Sequence, residues 1–201
     1  MDINTTRLRC LLGWLATLLP WIVALFVWEI PQSISATWYT NACTAFMIIL
    51  GASAILLISY KGYEKVDDII TTITGIFGLG ICLFPCFPVA GFGTVLPTPF
   101  KIPHNISDTI HVICAVIFFG LLACNSFFLF TKSGGQMTQN KKVRNIIFRV
   151  CALGMILSFA ILLLPYFKIK IWLMEMIALT FFGVSWLTKA NYYPWLFADK
   201  K

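Results

Sequence analysis

The residues that could carry chemistry are rare in this sequence and lie near the ends of long apolar stretches. Glu29 follows the first stretch, Asp108 precedes the fourth, and Glu175 lies about one turn into the sixth. Both histidines, His104 and His111, fall near Asp108. An ionisable side chain costs roughly 2.5 to 3.5 kcal/mol at the centre of a membrane helix, so its position is informative. These positions therefore indicate a binding site or a buried pair that joins two helices.

The spacing of three of these residues predicts that they share one helical face. Ser107 and Asp108 lie four and three residues before His111, which makes all three neighbours on the surface of a helix. Together with Glu29 and Glu175 they could form one polar pocket. Carboxylate oxygens and the His111 nitrogen could hold a divalent metal ion that activates water against an ester or an amide. Without a metal, His111 could act as a general base that a carboxylate orients.

The predicted roles divide these residues into two groups. The predicted catalytic residues, which are also the candidate metal ligands, are His111, Glu175 and Asp108. The predicted substrate-binding residues are Glu29, Ser107 and His104. The alternative is that the acids are hydrated among lipid headgroups, with Ser107 or Asp108 serving as a helix N-cap.

The composition indicates which solvent surrounds these residues. Of the 201 residues, 59% are apolar and 11% are charged, and the mean hydropathy is +0.86. A water-soluble domain carries roughly a quarter charged residues. The sequence therefore predicts an integral membrane protein and argues against nucleic-acid binding, although the net charge is +7.

Six stretches are long and apolar enough to cross a hydrocarbon core of about 30 Å. We predict one integral-membrane domain over residues 1–201, an all-α bundle with six transmembrane helices. The expected spans are 11–30, 40–60, 69–90, 109–130, 146–167 and 171–188. The first is too long for a signal peptide and lacks a small-residue cleavage site.

The basic residues predict the orientation of these spans. Twelve of the fifteen Lys and Arg residues lie on the side of the termini, and the other three are Lys101, Lys168 and Lys170. Short loops rich in Lys and Arg stay in the cytoplasm, so both termini are predicted to be cytoplasmic. The polar pocket is then expected at the outer leaflet.

The small residues and the cysteines are predicted to serve helix packing and not a catalytic or redox function. The glycines of Gly75-Ile-Phe-Gly-Leu-Gly80, and the pair Gly154 and Ser158, would let helices approach closely. Cys82 and Cys86 lack the spacing of a Cys-x-x-Cys redox motif, and we interpret them as small buried residues beside a proline.

The order of elements resembles one known family. The elements are Pro31-Gln-Ser-Ile-Ser-Ala-Thr, the turn Tyr60-Lys-Gly, the glycine-rich third span, Ile110-His-Val-Ile-Cys-Ala-Val-Ile-Phe-Phe-Gly, Arg144-Asn-Ile-Ile-Phe-Arg-Val-Cys, and Glu175 followed by Phe181-Phe-Gly. They resemble the family of damage-regulated autophagy modulators and glycosylphosphatidylinositol lipid-remodelling proteins. The chain is also similar to small bacterial six-span membrane proteins.

The resemblance implies a lipid-handling membrane protein in which His111 and Glu175 carry the roles of the family's recurring histidine and acid. It also implies location in a bacterial cytoplasmic membrane. The expected partners are membrane lipids and a second copy of the chain in a homo-oligomer. The expected function is lipid binding or lipid remodelling, including metal-assisted lipid hydrolysis.

Two functions of other classes stay open. A small transporter or channel would use the acids to line an ion path, but the middles of the spans carry no charge. A membrane scaffold without catalysis would act through the basic segment 132–145 and the tail after residue 190.

Overall fold

The computed structural model describes residues 3–88, 97–133, 135, 137–162 and 171–193. Within these residues the chain is helical and contains no strand. The helices are α1 (Ile3–Val27), α2 (Cys43–Ser59), α3 (Lys65–Leu83), α4 (His104–Cys124), α5 (Gln139–Leu162) and α6 (Ile171–Lys189). A 3-10 helix (Ser35–Tyr39) precedes α2, and a π-helical turn (Asn125–Leu129) extends α4. The prediction of an all-α bundle of six helices is confirmed.

The bounds of α3 differ from the expected span 69–90 for local reasons. The helix begins earlier because the Asp67 carboxylate accepts a hydrogen bond from the Tyr63 backbone N–H at 2.9 Å, which satisfies a donor at the helix start. It ends before Phe84 because the ring of Pro85 disfavours the α conformation of the residue that precedes it, which is Phe84. Phe84 is extended, with φ −115° and ψ 93°. The polar backbone groups after α3 therefore need partners from elsewhere in the fold.

The other bounds shift by a few residues. α4 begins at His104, directly after Pro103 and five residues before the expected start. α2 begins at Cys43 because the preceding residues form the 3-10 helix. Residues 163–167 of the expected fifth span lie outside the described residues.

The helices form a closed ring. Each helix packs beside the next along the chain, and α6 returns to pack against α1. Neighbouring helices therefore run in opposite directions. We call the end where α1, α3 and α5 finish the site end, and the other the opposite end. The contact between α4 and α5 is the least extensive of the six neighbouring pairs.

Glycines allow the closest helix approaches. A Cβ atom on Gly75 would collide with the Ala54 backbone oxygen, so this glycine lets α3 lie directly against α2. A Cβ atom on Gly183 would collide with the Thr17 hydroxyl, and Gly13 faces the same contact from α1. The predicted packing role of the third-span glycines is confirmed, and the sequence analysis missed the pair between α1 and α6.

Five of the helices are long and apolar enough to cross a membrane. Their outward faces carry large apolar side chains, such as Leu25 at 63% and Val116 at 67% exposure. A soluble monomer rarely exposes so much contiguous apolar surface. α2 is equally apolar on its outer face, but with 17 residues it is shorter than the expected span 40–60. The described chain is thus a helical bundle of the membrane type, with five helices long and apolar enough to span a bilayer and one shorter apolar helix.

Candidate functional site

The backbone that follows α3 is held by side chains from α4. In the segment 84–87, the His111 Nδ1 atom lies 2.8 Å from the Phe84 carbonyl oxygen. The Ser107 hydroxyl donates a hydrogen bond to the Pro85 carbonyl oxygen at 2.8 Å. Both side chains are buried. They satisfy carbonyl groups that the end of α3 would otherwise leave without partners in an apolar environment.

Two more side chains complete this arrangement. The Tyr39 hydroxyl donates to the Cys86 carbonyl oxygen at 2.7 Å. The Asp108 carboxylate accepts from the Phe87 backbone N–H at 2.7 Å. Four consecutive residues are therefore each fixed by one side chain, three of them from the first two turns of α4. The predicted common face of Ser107, Asp108 and His111 has a structural role in this segment.

The contact with Phe84 also determines the state of the His111 ring. A carbonyl oxygen can only accept a hydrogen bond, so Nδ1 must carry the proton. In the neutral ring Nε2 is then an acceptor. His111 is 5% exposed and lines a cavity inside the helix ring.

Glu175 reaches this cavity from the opposite side of the ring. Its Oε2 atom accepts from the Ile34 backbone N–H at 2.5 Å, and Oε1 lies 3.4 Å from the Ser35 hydroxyl. The Ser33 hydroxyl is also within hydrogen-bonding range of this carboxylate. The acid therefore joins α6 to the segment that connects α1 with the 3-10 helix.

The cavity has a volume of about 500 Å³ and lies at the site end of the bundle. Its polar end is formed by Ser33, Ser35, Cys86, Asp108, His111 and Glu175. The rest of the wall is apolar and extends along α4 as far as Gly120. From His111 to Gly120 this is about 13 Å of helix length. The size is typical of a small-molecule site, for which roughly 300 to 1,000 Å³ is usual.

The cavity opens sideways between α4 and α5. Val112 and Val116 from α4 and Ile156 from α5 line it and are 49%, 67% and 54% exposed. This is the neighbouring pair with the smallest contact. An apolar chain lying beside the bundle would therefore meet an apolar opening.

The structure brings together some of the predicted site residues and separates others. Glu175, Asp108 and His111 line the same cavity. Ser107 is directed to the Pro85 carbonyl, as described above, and Glu29 is exposed beyond the end of α1. His104 lies behind the polar end, 3.4 Å from the Tyr39 hydroxyl. Neither Glu29 nor His104 is among the described residues that line the cavity.

The described residues do not provide a set of ligands for the metal ion considered in the sequence analysis. Among the residues that the structure describes, no three His, Cys, Asp or Glu side chains lie close enough to hold a metal ion. Both Cys82 and Cys86 are free thiols, and Cys82 is buried as predicted, whereas Cys86 is half-buried. Burial, together with the nearby Glu175 and Asp108 carboxylates, raises the pKa of Cys86 to about 12, so this thiol stays protonated.

The sequence analysis missed Ser33, Ser35, Tyr39 and Cys86. Tyr39 lies beside Trp38 next to the expected span 40–60, where aromatic residues are typical of membrane-interface anchors, so nothing in the sequence indicated its contact with the backbone after α3. Burial, assisted by Cys86 and Asp108, raises the pKa of Tyr39 to about 12. The one available signal was Pro85, because a proline after a helix leaves carbonyl groups that some polar side chain must satisfy.

Comparison of the chain with known protein families, curated proteins and solved structures finds no match. The resemblance to the damage-regulated autophagy modulators and lipid-remodelling proteins therefore stays a prediction, and the functional argument depends on the cavity.

Proposed function

We propose that this chain is an integral membrane lipid-binding protein that holds one acyl chain in the cavity, with the lipid head at Glu175, Asp108 and His111. The observation that carries this proposal is the combination of an apolar cavity, a polar end and an opening toward the bilayer. The head would lie at the level of the site end, where hydrated headgroups are close.

The energetics favour selection by the head. Lipid tails are as apolar as the cavity wall, so moving an acyl chain from the bilayer into the cavity has little hydrophobic driving force. Hydrogen bonds at the polar end, in contrast, are strong in a low-dielectric setting and costly to leave unmade. Specificity would therefore come from the polar end, and the opening between α4 and α5 would let the chain enter from the side.

The wall of the cavity favours this function over an ion path. Its body, from Leu19 to Leu179, is built from apolar side chains, whereas ion conduction needs polar groups at several depths. Remodelling of the bound lipid would add a step in which His111 Nε2 acts as a general base. Binding requires no group beyond those that line the cavity.

The proposal also includes a location. The distribution of Lys and Arg favours cytoplasmic termini, and the bacterial cytoplasmic membrane follows from the resemblance. The cavity would then open to the outer leaflet.

Photolabelling of the purified protein in lipid vesicles tests the binding function. A lipid with a photoreactive group near the end of its acyl chain should label the segments 112–120 and 155–159, which line the cavity. Excess unlabelled lipid should suppress this labelling.

Two glycines provide matched variants. Gly120 lines the cavity and Gly51 lies on α2, and a Cβ atom on either would meet nothing within 4 Å. Gly120→Phe should fill the apolar end of the cavity and reduce labelling at least about tenfold, equivalent to about 1.4 kcal/mol. Gly51→Phe should leave labelling unchanged. Equal labelling of all three proteins would reject the binding function.

A further inference from the structure

We propose that the lipid in this cavity has a head that donates hydrogen bonds, a hydroxyl or an ammonium group, and that a phosphate or carboxylate head is rejected. This inference rests on the proposed lipid-binding function and deepens it. It follows from counting which polar atoms at the polar end are already used within the protein.

Three backbone donors at the polar end already have acceptors within the protein. The Ile34 N–H donates to Glu175 at 2.5 Å, and the Phe87 N–H donates to Asp108 at 2.7 Å. The Ala36 N–H donates to the Ser33 hydroxyl oxygen at 3.1 Å. These N–H groups are therefore directed at protein atoms and not at a ligand.

The side-chain donors are used in the same way. The His111 Nδ1–H donates to the Phe84 carbonyl oxygen at 2.8 Å. The Ser35 hydroxyl is 3.4 Å from Glu175 and has that carboxylate as its acceptor. Cys86 adds a thiol, which is a weak donor.

Acceptors, in contrast, remain. An ionised carboxylate offers about four lone-pair sites on its two oxygens, and among the described residues the Phe87 N–H occupies one of those of Asp108. His111 Nε2 is an acceptor in the tautomer that the Phe84 carbonyl selects. The His111 side chain is 5% exposed, so a ligand donor that reaches Nε2 would form a hydrogen bond shielded from water. A ligand hydroxyl or ammonium group supplies the missing donors.

The charges at the polar end lead to the same conclusion. Asp108 and Glu175 are both acids, and none of the described residues that line the cavity is Lys or Arg. An anionic head would lie beside the Asp108 carboxylate without a cationic partner among the described lining residues, in a medium of low dielectric constant where like-charge repulsion is strong. A neutral hydroxyl avoids this repulsion, and an ammonium group converts it into attraction.

Competition with the photolabelled lipid tests the inference. Four competitors with the same saturated chain differ in the head alone: a monoacylglycerol, a long-chain amine, a fatty acid and an alkyl phosphate. We expect the monoacylglycerol or the amine to suppress labelling at about a tenfold lower concentration than either anionic lipid, measured at neutral pH in neutral vesicles.

Amide variants distinguish a lipid whose head is a hydroxyl group from one whose head is an ammonium group. Asp108→Asn keeps an oxygen for the Phe87 N–H and replaces the charge by an amide. If the head is an ammonium group, Asp108→Asn should weaken competition by the amine about tenfold and spare the monoacylglycerol. If the head is a hydroxyl, the monoacylglycerol should outcompete the amine in the wild type. Glu29→Gln, which removes an acid outside the cavity, should change neither.

The outcomes keep this inference distinct from the binding function. If the alkyl phosphate or the fatty acid competes as well as the donor lipids, the head inference is wrong, although loss of labelling in Gly120→Phe would still support lipid binding. If Gly120→Phe and Gly51→Phe label equally, both proposals fail. Thermal unfolding of each variant verifies that it is folded.

Discussion

At the scale of single residues, the same side chains join the fold together and form the site. Asp108 and His111 bind the backbone after α3 and also face the cavity, and Glu175 does the same for the segment after α1. A rigid scaffold of this kind fixes each polar atom before a ligand arrives. Substitution of these residues therefore affects the fold and the site together.

Substitution of Tyr39 tests the effect on the fold without a direct effect on the site, because Tyr39 holds the segment 84–87 and does not line the cavity. Tyr39→Phe would leave the Cys86 carbonyl oxygen without the Tyr39 donor, so we expect a loss of about 1 to 3 kcal/mol in the free energy of unfolding. The measurement is reversible unfolding in mixed micelles. A loss smaller than about 0.5 kcal/mol would show that this hydrogen bond is not formed.

Alkaline pH tests the same residue independently. Burial raises the pKa of Tyr39 from its ordinary value of 10.0 to about 12, so the folded state holds the phenol proton more tightly than the unfolded state. The stability contributed by Tyr39 is thus complete below pH 10.0 and falls as the pH rises toward about 12. The difference in stability between the wild type and Tyr39→Phe should therefore shrink over this interval. A constant difference would contradict the assigned environment.

At the scale of helices, hydrophobicity predicts the number of elements, and local chemistry predicts their ends incompletely. Six apolar stretches were sufficient to predict six helices. Pro85 in the sequence indicates that α3 ends early. The expected span nevertheless continued to residue 90, because the apolar residues of this stretch also continue to residue 90. The partners of the freed carbonyl groups come from α4 and the 3-10 helix, which local sequence does not bring together.

The contact between α1 and α6 shows a similar limit. Gly13 and Gly183 are isolated glycines 170 positions apart in the sequence, and nothing in either local pattern pairs them. The third-span glycines were recognised because they cluster. Helices that are far apart in the sequence, such as α1 and α6, come into contact only because of the order of the helices around the ring, and the same order forms the cavity.

Gly183→Leu tests the contact between α1 and α6. The new side chain would collide with Thr17 and Gly13, so helix separation should cost about 1 to 3 kcal/mol in the free energy of unfolding. Gly51→Leu is the control, because its Cβ meets nothing within 4 Å and leucine favours a helix more than glycine does. Unfolding in mixed micelles measures both variants. Equal stability of the two would show that α1 and α6 are not in close contact.

At the scale of the whole molecule, the two ends of the bundle differ in how their charged side chains are paired. The site end carries Asp108 and Glu175. At the opposite end Lys132 bridges Glu64 and Asp67 at 2.8 and 2.9 Å, while the Lys189 ammonium lies 4.7 Å from the centre of the Tyr63 ring. The hydrogen bonds from Lys132 to these acids, that to Glu64 first, raise the pKa of Lys132. The proposal that this end faces the cytoplasm rests on the distribution of Lys and Arg along the sequence.

The short helix α2 is the weakest point in the proposed topology. Its 17 residues span about 26 Å, a few ångströms less than the hydrocarbon core of about 30 Å. Such a mismatch costs only fractions of a kcal/mol per ångström. α2 also packs along both α1 and α3, with Gly75 lying against Ala54. We therefore expect α2 to cross the membrane, which gives six spans.

Cysteine labelling in intact cells distinguishes six spans from five, because the exposed sites Glu29, Lys101 and Ser133 follow α1, α3 and the extended α4, respectively. With six spans and cytoplasmic termini, a membrane-impermeant maleimide should label Glu29→Cys and Lys101→Cys above the wild-type background, and Ser133→Cys only after permeabilisation. If α2 lay on the surface instead, Lys101 and Ser133 would exchange sides and Ser133→Cys would label in intact cells together with Glu29→Cys. Labelling of Ser133→Cys alone would mean that the orientation is reversed. The lipid cavity would then open to the inner leaflet, because Asp108, Glu175 and the opening between α4 and α5 all move with the site end.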